Sequence, residues 1–243
     1  MSRFLALGSL ALAMVASAPA LAGDPPPPRG PLAIFVQARP DEAERNAADL
    51  AALKGKSESA AKTANDAYKD LKKQYGKDKA KWPADRRSAY FDAVDAAGTA
   101  WSEAYYYARP AAEKADSVKD FSDKLAKRKD KYVTLAASRE QADLVIEVMG
   151  RRGMAKFVSG SKYLCFDLLP GKVPADALLD LPRERFDPWF DDRVWALRWP
   201  KPGEPGFRFE VNDSERWSDV ADYGVRTVEE VAKTYYDALK PAR

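Results

Sequence analysis

The pattern of apolar and polar residues divides the chain after its N-terminal segment into three parts, each with its own predicted structure. Residues 32–36 form a short apolar run between Pro31 and Pro40, which predicts a buried strand. Residues 41–116 are rich in alanine and poor in branched aliphatic residues, a composition that favours helix. After residue 116, apolar strand-like runs alternate with polar turns and helical patterns.

The alanine-rich part carries two apolar seams, each with the spacing of a helix that packs on another helix. The first seam comprises Leu50, Leu53, Ser57, Ala60, Ala64, Ala67 and Leu71, and the second comprises Tyr90, Val94, Ala97, Trp101, Ala104 and Ala108. Steps of three and four residues place each seam on one helical face. A polar turn at residues 76–83 separates them, and Pro83 suits a first helical position. The segment from about 41 to 116 therefore predicts an antiparallel helical hairpin.

The last part of the chain predicts strands joined by short turns, with helices beside them. The predicted strands cover residues 132–136, 143–149, 156–158, 162–168, 193–199 and 207–211. Capping boxes beginning at Ser117 and Thr227 predict that two helices start there, and Pro174 predicts a short helix. Mostly local strand connections indicate an α+β fold, in which a mixed or antiparallel sheet has flanking helices and the hairpin follows the first strand. Residues 31–243 are predicted to form one domain.

The N-terminus has the pattern of a secretory signal peptide over residues 1–22. Arg3 precedes an almost wholly apolar run from residue 4 to 15, and small residues stand at the two positions before a cleavage site after Ala22. Residue 24 is Asp where a lipoprotein would need a cysteine, so no lipid anchor is expected. Residues 23–30 are proline-rich and predict an extended leader. We expect an exported protein, periplasmic or secreted, without a membrane-spanning segment.

Composition removes several classes of chemistry from consideration. The 243 residues contain 40 Lys and Arg, 37 Asp and Glu, no histidine and one cysteine, Cys165. Without histidine, the usual catalytic triad and a Cys/His zinc site are excluded. We expect Cys165 to be a small buried apolar residue, because it lies within an apolar run. The net charge of +3 gives no reason to expect a nucleic-acid partner, and no motif suggests a cofactor or a metal site.

Carboxylate chemistry remains available to the sequence. Asp187, Asp191 and Asp192 lie close together beside Trp189 and Phe190. Two carboxyl groups in an aromatic setting are what glycoside hydrolysis requires. The same aspartates also fit a loop in which their side chains cap turns. A carboxylate-dependent hydrolase acting on envelope glycans is therefore the alternative prediction for function.

Two tryptophans are the candidate binding residues. Trp195, Leu197 and Trp199 alternate along a predicted strand and would share one face of it. If that face is exposed, Trp195 and Trp199 could stack on a sugar ring or accept an apolar group of a partner protein. If it is the inner face of the sheet, the two indole rings belong to the core.

One segment carries a resemblance to known proteins. A helix beginning near residues 116–121, followed by strands of which the second reads Ala-Asp-Leu-Val-Ile-Glu-Val at 142–148, resembles a segment of uncharacterised exported bacterial proteins. It is more distantly similar to envelope α/β domains of the curli-secretion lipoprotein and of the N-terminal domain of TolB. The resemblance spans about 35 of the 243 residues. It implies a domain that contacts other proteins. With the signal-peptide pattern, the missing catalytic constellations and the polar-faced helical pair, it favours a non-catalytic module that binds an envelope protein or a glycan. The binding surface would be the sheet edge, the Trp195/Trp199 face or the helical hairpin.

Overall fold

A computed structural model describes residues 30–40, 45–106, 109–128, 131–154, 161–183, 194–204, 206–213 and 216–239 of the chain. Its helices are α1 (Ala47–Tyr75), α2 (Ala84–Tyr106), α3 (Ala111–Lys127), α4 (Ala175–Leu179) and α5 (Trp217–Ala238). Its strands are β1 (Leu32–Ala38), β2 (Val133–Leu135), β3 (Leu144–Met154), β4 (Ser161–Pro170), β5 (Val194–Arg198) and β6 (Phe207–Asp213). The predicted α+β fold is confirmed.

The six strands form one mixed sheet in the order β2-β1-β3-β4-β6-β5. β1 runs parallel to β2 and β3, whereas β4 and β6 are antiparallel to each of their neighbours. Phe166 of β4 lies opposite Phe209 of β6, which fixes the register in the middle of the sheet. Because strand side chains alternate between faces, this register places Leu164, Phe166 and Leu168 together on one side of the sheet.

Helices α3 and α5 cover that side and enclose the main apolar core. Phe121 of α3 is fully buried and packs edge-on against Phe166, with the ring centroids 5.1 Å apart. Gly224 of α5 lies against the Phe121 ring, where a Cβ would come within 2.3 Å of Cζ. The absence of a side chain at residue 224 therefore lets α5 pass closely over α3.

The two helix beginnings predicted from capping boxes are wrong. α3 begins at Ala111 and α5 at Trp217, so Ser117 and Thr227 lie within helices. The Ser117 hydroxyl donates to the Glu113 carbonyl oxygen at 3.0 Å, and the Thr227 hydroxyl donates to that of Tyr223 at 2.8 Å. A hydroxyl satisfied in this way by the preceding turn is compatible with the helix interior.

The predicted helical hairpin is present as α1 and α2, following β1. The buried residues of α1 are Ser57, Ala64 and Leu71, which recur every seven residues as a helix–helix seam requires. The Ser57 hydroxyl donates to the Ala97 carbonyl oxygen at 3.0 Å and so joins the two helices directly. Small residues in the seam allow the two backbones to approach closely.

The turn of the hairpin has its own small core. Gly76 ends α1 with a positive φ of 83°, a conformation that glycine adopts without strain. Trp82 is buried, and its indole nitrogen donates to the Gly76 carbonyl oxygen at 3.0 Å. The Trp82 ring packs edge-on against Tyr90, with centroids 5.3 Å apart. These contacts give the turn a defined conformation.

Residues 1–29, which include the predicted signal peptide and most of the leader, lie outside the described residues. Among the helices that the structure does describe, none is both long and apolar enough to cross a membrane.

Candidate functional site

The second half of α2 packs on the sheet face opposite α3 and α5. Gly98 makes the closest approach, since a Cβ at this residue would lie 2.3 Å from the Leu197 carbonyl oxygen in β5. Only glycine allows the helix to rest on the strand backbone at this distance. Trp101, Ser102 and Tyr106 follow on α2 and make hydrogen bonds at the junction between helix and sheet.

The sheet presents charged side chains to this helix. In β6, Phe207, Phe209 and Val211 point into the main core, so the intervening Arg208 and Glu210 point towards α2. Arg208 is 1% exposed and Glu210 is 4% exposed. Charges buried this deeply are tolerated only when they are paired and hydrogen-bonded.

Arg208 is the centre of the first buried ion-pair group. Its guanidinium donates to both carboxylate oxygens of Asp167, from Nε at 2.6 Å and from Nη2 at 2.9 Å. Nη1 donates to the Ser102 hydroxyl at 3.0 Å and to Glu103 Oε1 at 2.7 Å. Arg208 thereby ties β6 to β4 and to α2. Arg198 adds a further contact, with Nη2 3.6 Å from Asp167 Oδ2.

The ion pairs and hydrogen bonds of this group favour the charged forms of Arg208 and Glu103. Burial by itself lowers the pKa of the Arg208 guanidinium, but its hydrogen bonds and ion pair with Asp167 raise it above the ordinary value. Burial opposes ionisation of Glu103, yet Arg208 and its neighbours hold the pKa of this carboxyl below the usual range. Glu103 is therefore a carboxylate that acts as a fixed counter-ion.

Tyr106, Arg152 and Glu210 form the second buried group. The Tyr106 hydroxyl donates to Glu210 Oε2 at 2.5 Å, and the Trp101 indole nitrogen donates to the same oxygen at 3.2 Å. Arg152 Nε donates to the Tyr106 oxygen at 3.0 Å, and its Nη2 lies 3.3 Å from Glu210 Oε1. Burial, followed by the adjacent Glu210 charge, raises the pKa of Tyr106 well above its ordinary value, so this phenol stays a neutral donor.

An aromatic stack leads from this group to the protein surface. The Arg152 guanidinium lies 4.0 Å from the ring centroid of Tyr163, and the Tyr163 ring is stacked on Trp195 with centroids 6.2 Å apart. Trp101 and Tyr105 pack together on α2, with centroids 4.0 Å apart. Trp195 is 38% exposed, whereas the other three rings are half-buried. We name these four rings the Trp195 surface.

The second predicted binding residue, Trp199, occupies a different environment. The β5–β6 register shifts between Ala196 and Arg198, so strict alternation does not continue from Trp195 to Trp199. Trp199 is 7% exposed and packs edge-on against Phe207 in the main core, with centroids 4.8 Å apart. The structure thus separates the two tryptophans that the sequence pattern placed on one face. Binding through either of them remains a prediction.

A cavity of about 230 Å³ lies between the hairpin and the turn that follows β5, and Asp95 and Glu103 are among the residues that line it. Burial raises the pKa of Asp95, although its ion pair with Arg183 at 2.8 Å opposes the shift. The two acids are eight residues apart on α2, or about 12 Å along the helix axis. Glu204, Arg198 and Lys201 line the cavity as well, so acidic and basic side chains both surround it.

The aspartates of the alternative hydrolase prediction, Asp187, Asp191 and Asp192, lie outside the described residues. Within the described ranges, no group of three acidic, cysteine or histidine side chains is placed to hold a metal ion. Cys165 is fully buried as expected, and burial raises the pKa of its thiol well above the ordinary value. A thiol in this environment is a poor nucleophile.

Tyr163 and the charged residues beneath it were not predicted from the sequence. Arg152, Tyr163 and Glu210 come from three different strands, and their proximity depends on the strand order. The sequence of β6 does indicate buried charges, because charged residues at 208 and 210 alternate with apolar residues at 207, 209 and 211. Such a pattern indicates that the second face of the strand is covered by a group of opposite charge.

No protein-family model, curated protein or solved structure matches this chain.

Proposed function

We propose that this protein is an exported, non-catalytic module of the bacterial cell envelope that binds another envelope protein or a glycan through the Trp195 surface. The signal-peptide pattern of residues 1–22 supports export. The observation that carries the binding role is the exposed indole of Trp195, whose ring is stacked on Tyr163, and Tyr163 in turn lies against Arg152.

A rigid aromatic surface is well suited to binding. An indole ring offers a large apolar area with few rotatable bonds, so little conformational entropy is lost when a partner packs on it. Tyr163 is fixed by Arg152, which is itself fixed by Tyr106 and Glu210. The surface is therefore preorganised, which favours affinity for a partner.

The contacts of the buried acids at the junction between α2 and the sheet indicate that these acids have a structural role. Asp167 and Glu103 both accept hydrogen bonds from Arg208, and Glu210 accepts them from Tyr106 and Trp101. Their donors come from β6 and α2, so these hydrogen bonds join the helix to the sheet. We therefore assign these acids to attachment of the hairpin.

The test compares Trp195→Ala with Tyr75→Ala in capture of partners from envelope extract by cross-linking. Tyr75 is a matched control, because it is 41% exposed and lies at the far end of the hairpin. We expect Trp195→Ala to fold normally and to lose at least about tenfold in capture of a defined partner, as central interface tryptophans do. Tyr75→Ala should capture that partner as the unmodified chain does.

Equal capture by both variants would disprove a binding role for Trp195. Trp199→Ala provides a further contrast, because removing a buried tryptophan should lower the free energy of unfolding by about 3–5 kcal/mol. The same extract fractionated into protein and glycan distinguishes the two classes of partner.

A further inference from the structure

The turn of the hairpin carries a concentration of positive charge. Residues 72–87 include seven Lys and Arg but only two Asp, so the remaining chain holds 33 of the 40 basic and 35 of the 37 acidic residues. The net charge of this short segment exceeds that of the entire chain. We name it the basic tip, and its cations are Lys72, Lys73, Lys77, Lys79, Lys81, Arg86 and Arg87.

Helix stability explains only part of this charge. Lys72 and Lys73 lie in the last turn of α1, where cations interact favourably with the helix dipole. Arg86 lies in the first turn of α2, where the same dipole opposes a cation. Lys73 and Lys77 make no ion pair with any residue that the structure describes. Lys81 pairs with Asp78 and Arg86 with Asp85, so Lys73 and Lys77 are cations of this segment whose proximity no ion pair explains among the described residues.

The basic tip is held in a fixed conformation and lies away from the sheet. The Arg87 guanidinium donates to the Ala80 carbonyl oxygen at 3.0 Å, and Ala80 N donates to the Asp78 side chain at 3.1 Å. The contacts of α2 with the rest of the molecule extend from Phe91, beside Arg183, to Tyr106. The charges are thus displayed on an ordered turn beyond the attached part of the helix.

We propose that the basic tip docks on the surface of a bilayer containing anionic phospholipids. Clusters of four to eight Lys and Arg are the usual feature that binds such lipids, at about 1 kcal/mol for each residue near the surface. Tyr75 is 41% exposed beside the cluster, and a tyrosine is well suited to the interface between headgroups and acyl chains. Single-stranded nucleic acid is less suited to this surface, because single strands need a row of exposed rings for base stacking.

The experiment measures co-sedimentation of the chain beginning at Gly23 with lipid vesicles. This chain omits the apolar run at residues 4–15, which would itself enter lipid, and it retains all described elements. We expect binding to vesicles of phosphatidylglycerol mixed with phosphatidylcholine, but not to phosphatidylcholine alone. Binding should weaken as salt is raised, because exposed charges are screened.

The variant Lys73→Gln/Lys77→Gln should bind the anionic vesicles about tenfold or more weakly. Lys119→Gln/Lys127→Gln is the matched control, since it removes the same charge from exposed positions on α3, and it should bind as the unmodified chain does. Trp195→Ala should also bind vesicles normally, because the basic tip is separate from the Trp195 surface.

Equal binding by the two lysine variants would overturn the proposal, as would equal binding to both kinds of vesicle. Tighter binding to a single-stranded oligonucleotide than to the anionic vesicles, lost in Lys73→Gln/Lys77→Gln, would also overturn it and assign the basic tip to nucleic acid.

Discussion

At the scale of single residues, Arg208 connects the parts of the molecule that meet at the junction. One guanidinium bonds Asp167 of β4 with two hydrogen bonds, and Glu103 and Ser102 of α2 with one each. The planar guanidinium suits this arrangement, whereas the single ammonium of a lysine would not. Removing it would leave two buried carboxylates without their main counter-ion.

Replacement of Arg208 by Met should therefore lower the free energy of unfolding by about 3–5 kcal/mol, measured by urea denaturation. Arg226→Met is the comparison, because its ion pair with Asp222 lies at the surface and should contribute less than about 1 kcal/mol. Similar losses in the two variants would contradict a special role for the buried pair.

The sequence predicted where Arg208 lies but not what it contacts. Its strand was evident from the apolar residues at 207, 209 and 211. Asp167 and Glu103 are 41 and 105 residues away along the chain. Their proximity follows from the strand order and the position of α2, which no local pattern contains. The same reason explains why Trp195 was predicted as a candidate and Tyr163 was not.

At the scale of secondary-structure elements, two glycines in the hairpin have opposite roles. Gly98 of α2 contacts the backbone of Leu197, whereas a Cβ at Gly55 of α1 would meet no neighbouring atom. Glycine weakens a helix when nothing requires it, because it loses more backbone entropy on folding than alanine does. One glycine is therefore needed for docking and the other is not.

Gly98→Ala should lower the free energy of unfolding by about 1–3 kcal/mol, because α2 must move away from β5. Gly55→Ala should raise it by up to about 1 kcal/mol. Thermal and urea denaturation measure whether the free energy of unfolding falls in Gly98→Ala and rises in Gly55→Ala. A stabilised Gly98→Ala would show that α2 does not rest on Leu197.

Element boundaries were predicted less well than element types. The capping-box patterns at Ser117 and Thr227 match the preferences of a helix beginning, yet both helices start earlier. Each helix extends towards its N-terminus because residues there still pack, as buried Val220, Val225 and Lys114 demonstrate. Local hydrogen-bonding signals were thus outweighed by contacts with the sheet and with the other helix.

At the scale of the whole molecule, the two sides of the sheet are held by different forces. α3 and α5 bury apolar side chains, whereas α2 is attached largely through ion pairs and hydrogen bonds. The first attachment also contains titratable groups, because burial raises the pKa values of Tyr235 and Tyr236 in α5. The second depends on Glu103, whose pKa is lowered, and on Tyr106, whose pKa is raised, so pH acts on both sides of the sheet.

The pKa of Tyr106 is raised in the folded chain, so its contribution to stability is present below pH about 10 and is lost as the pH rises above that value. The free energy of unfolding should fall on this alkaline side less steeply in Tyr106→Phe than in the unmodified chain. Urea denaturation across an alkaline pH series measures the difference, and Tyr75→Phe serves as an exposed control. Parallel curves for all three chains would disprove the assignment.

At Gly98, α2 rests on the backbone of Leu197 in β5, so a tilt of the helix would turn about this contact. From Gly98 to Arg87 the helix is about 17 Å long, so a tilt of about ten degrees moves Arg87 by about 3 Å. Trp101 and Tyr105 lie on the other arm of the same helix, beside Trp195. Partners bound at the basic tip and at the Trp195 surface would therefore contact opposite ends of one helix.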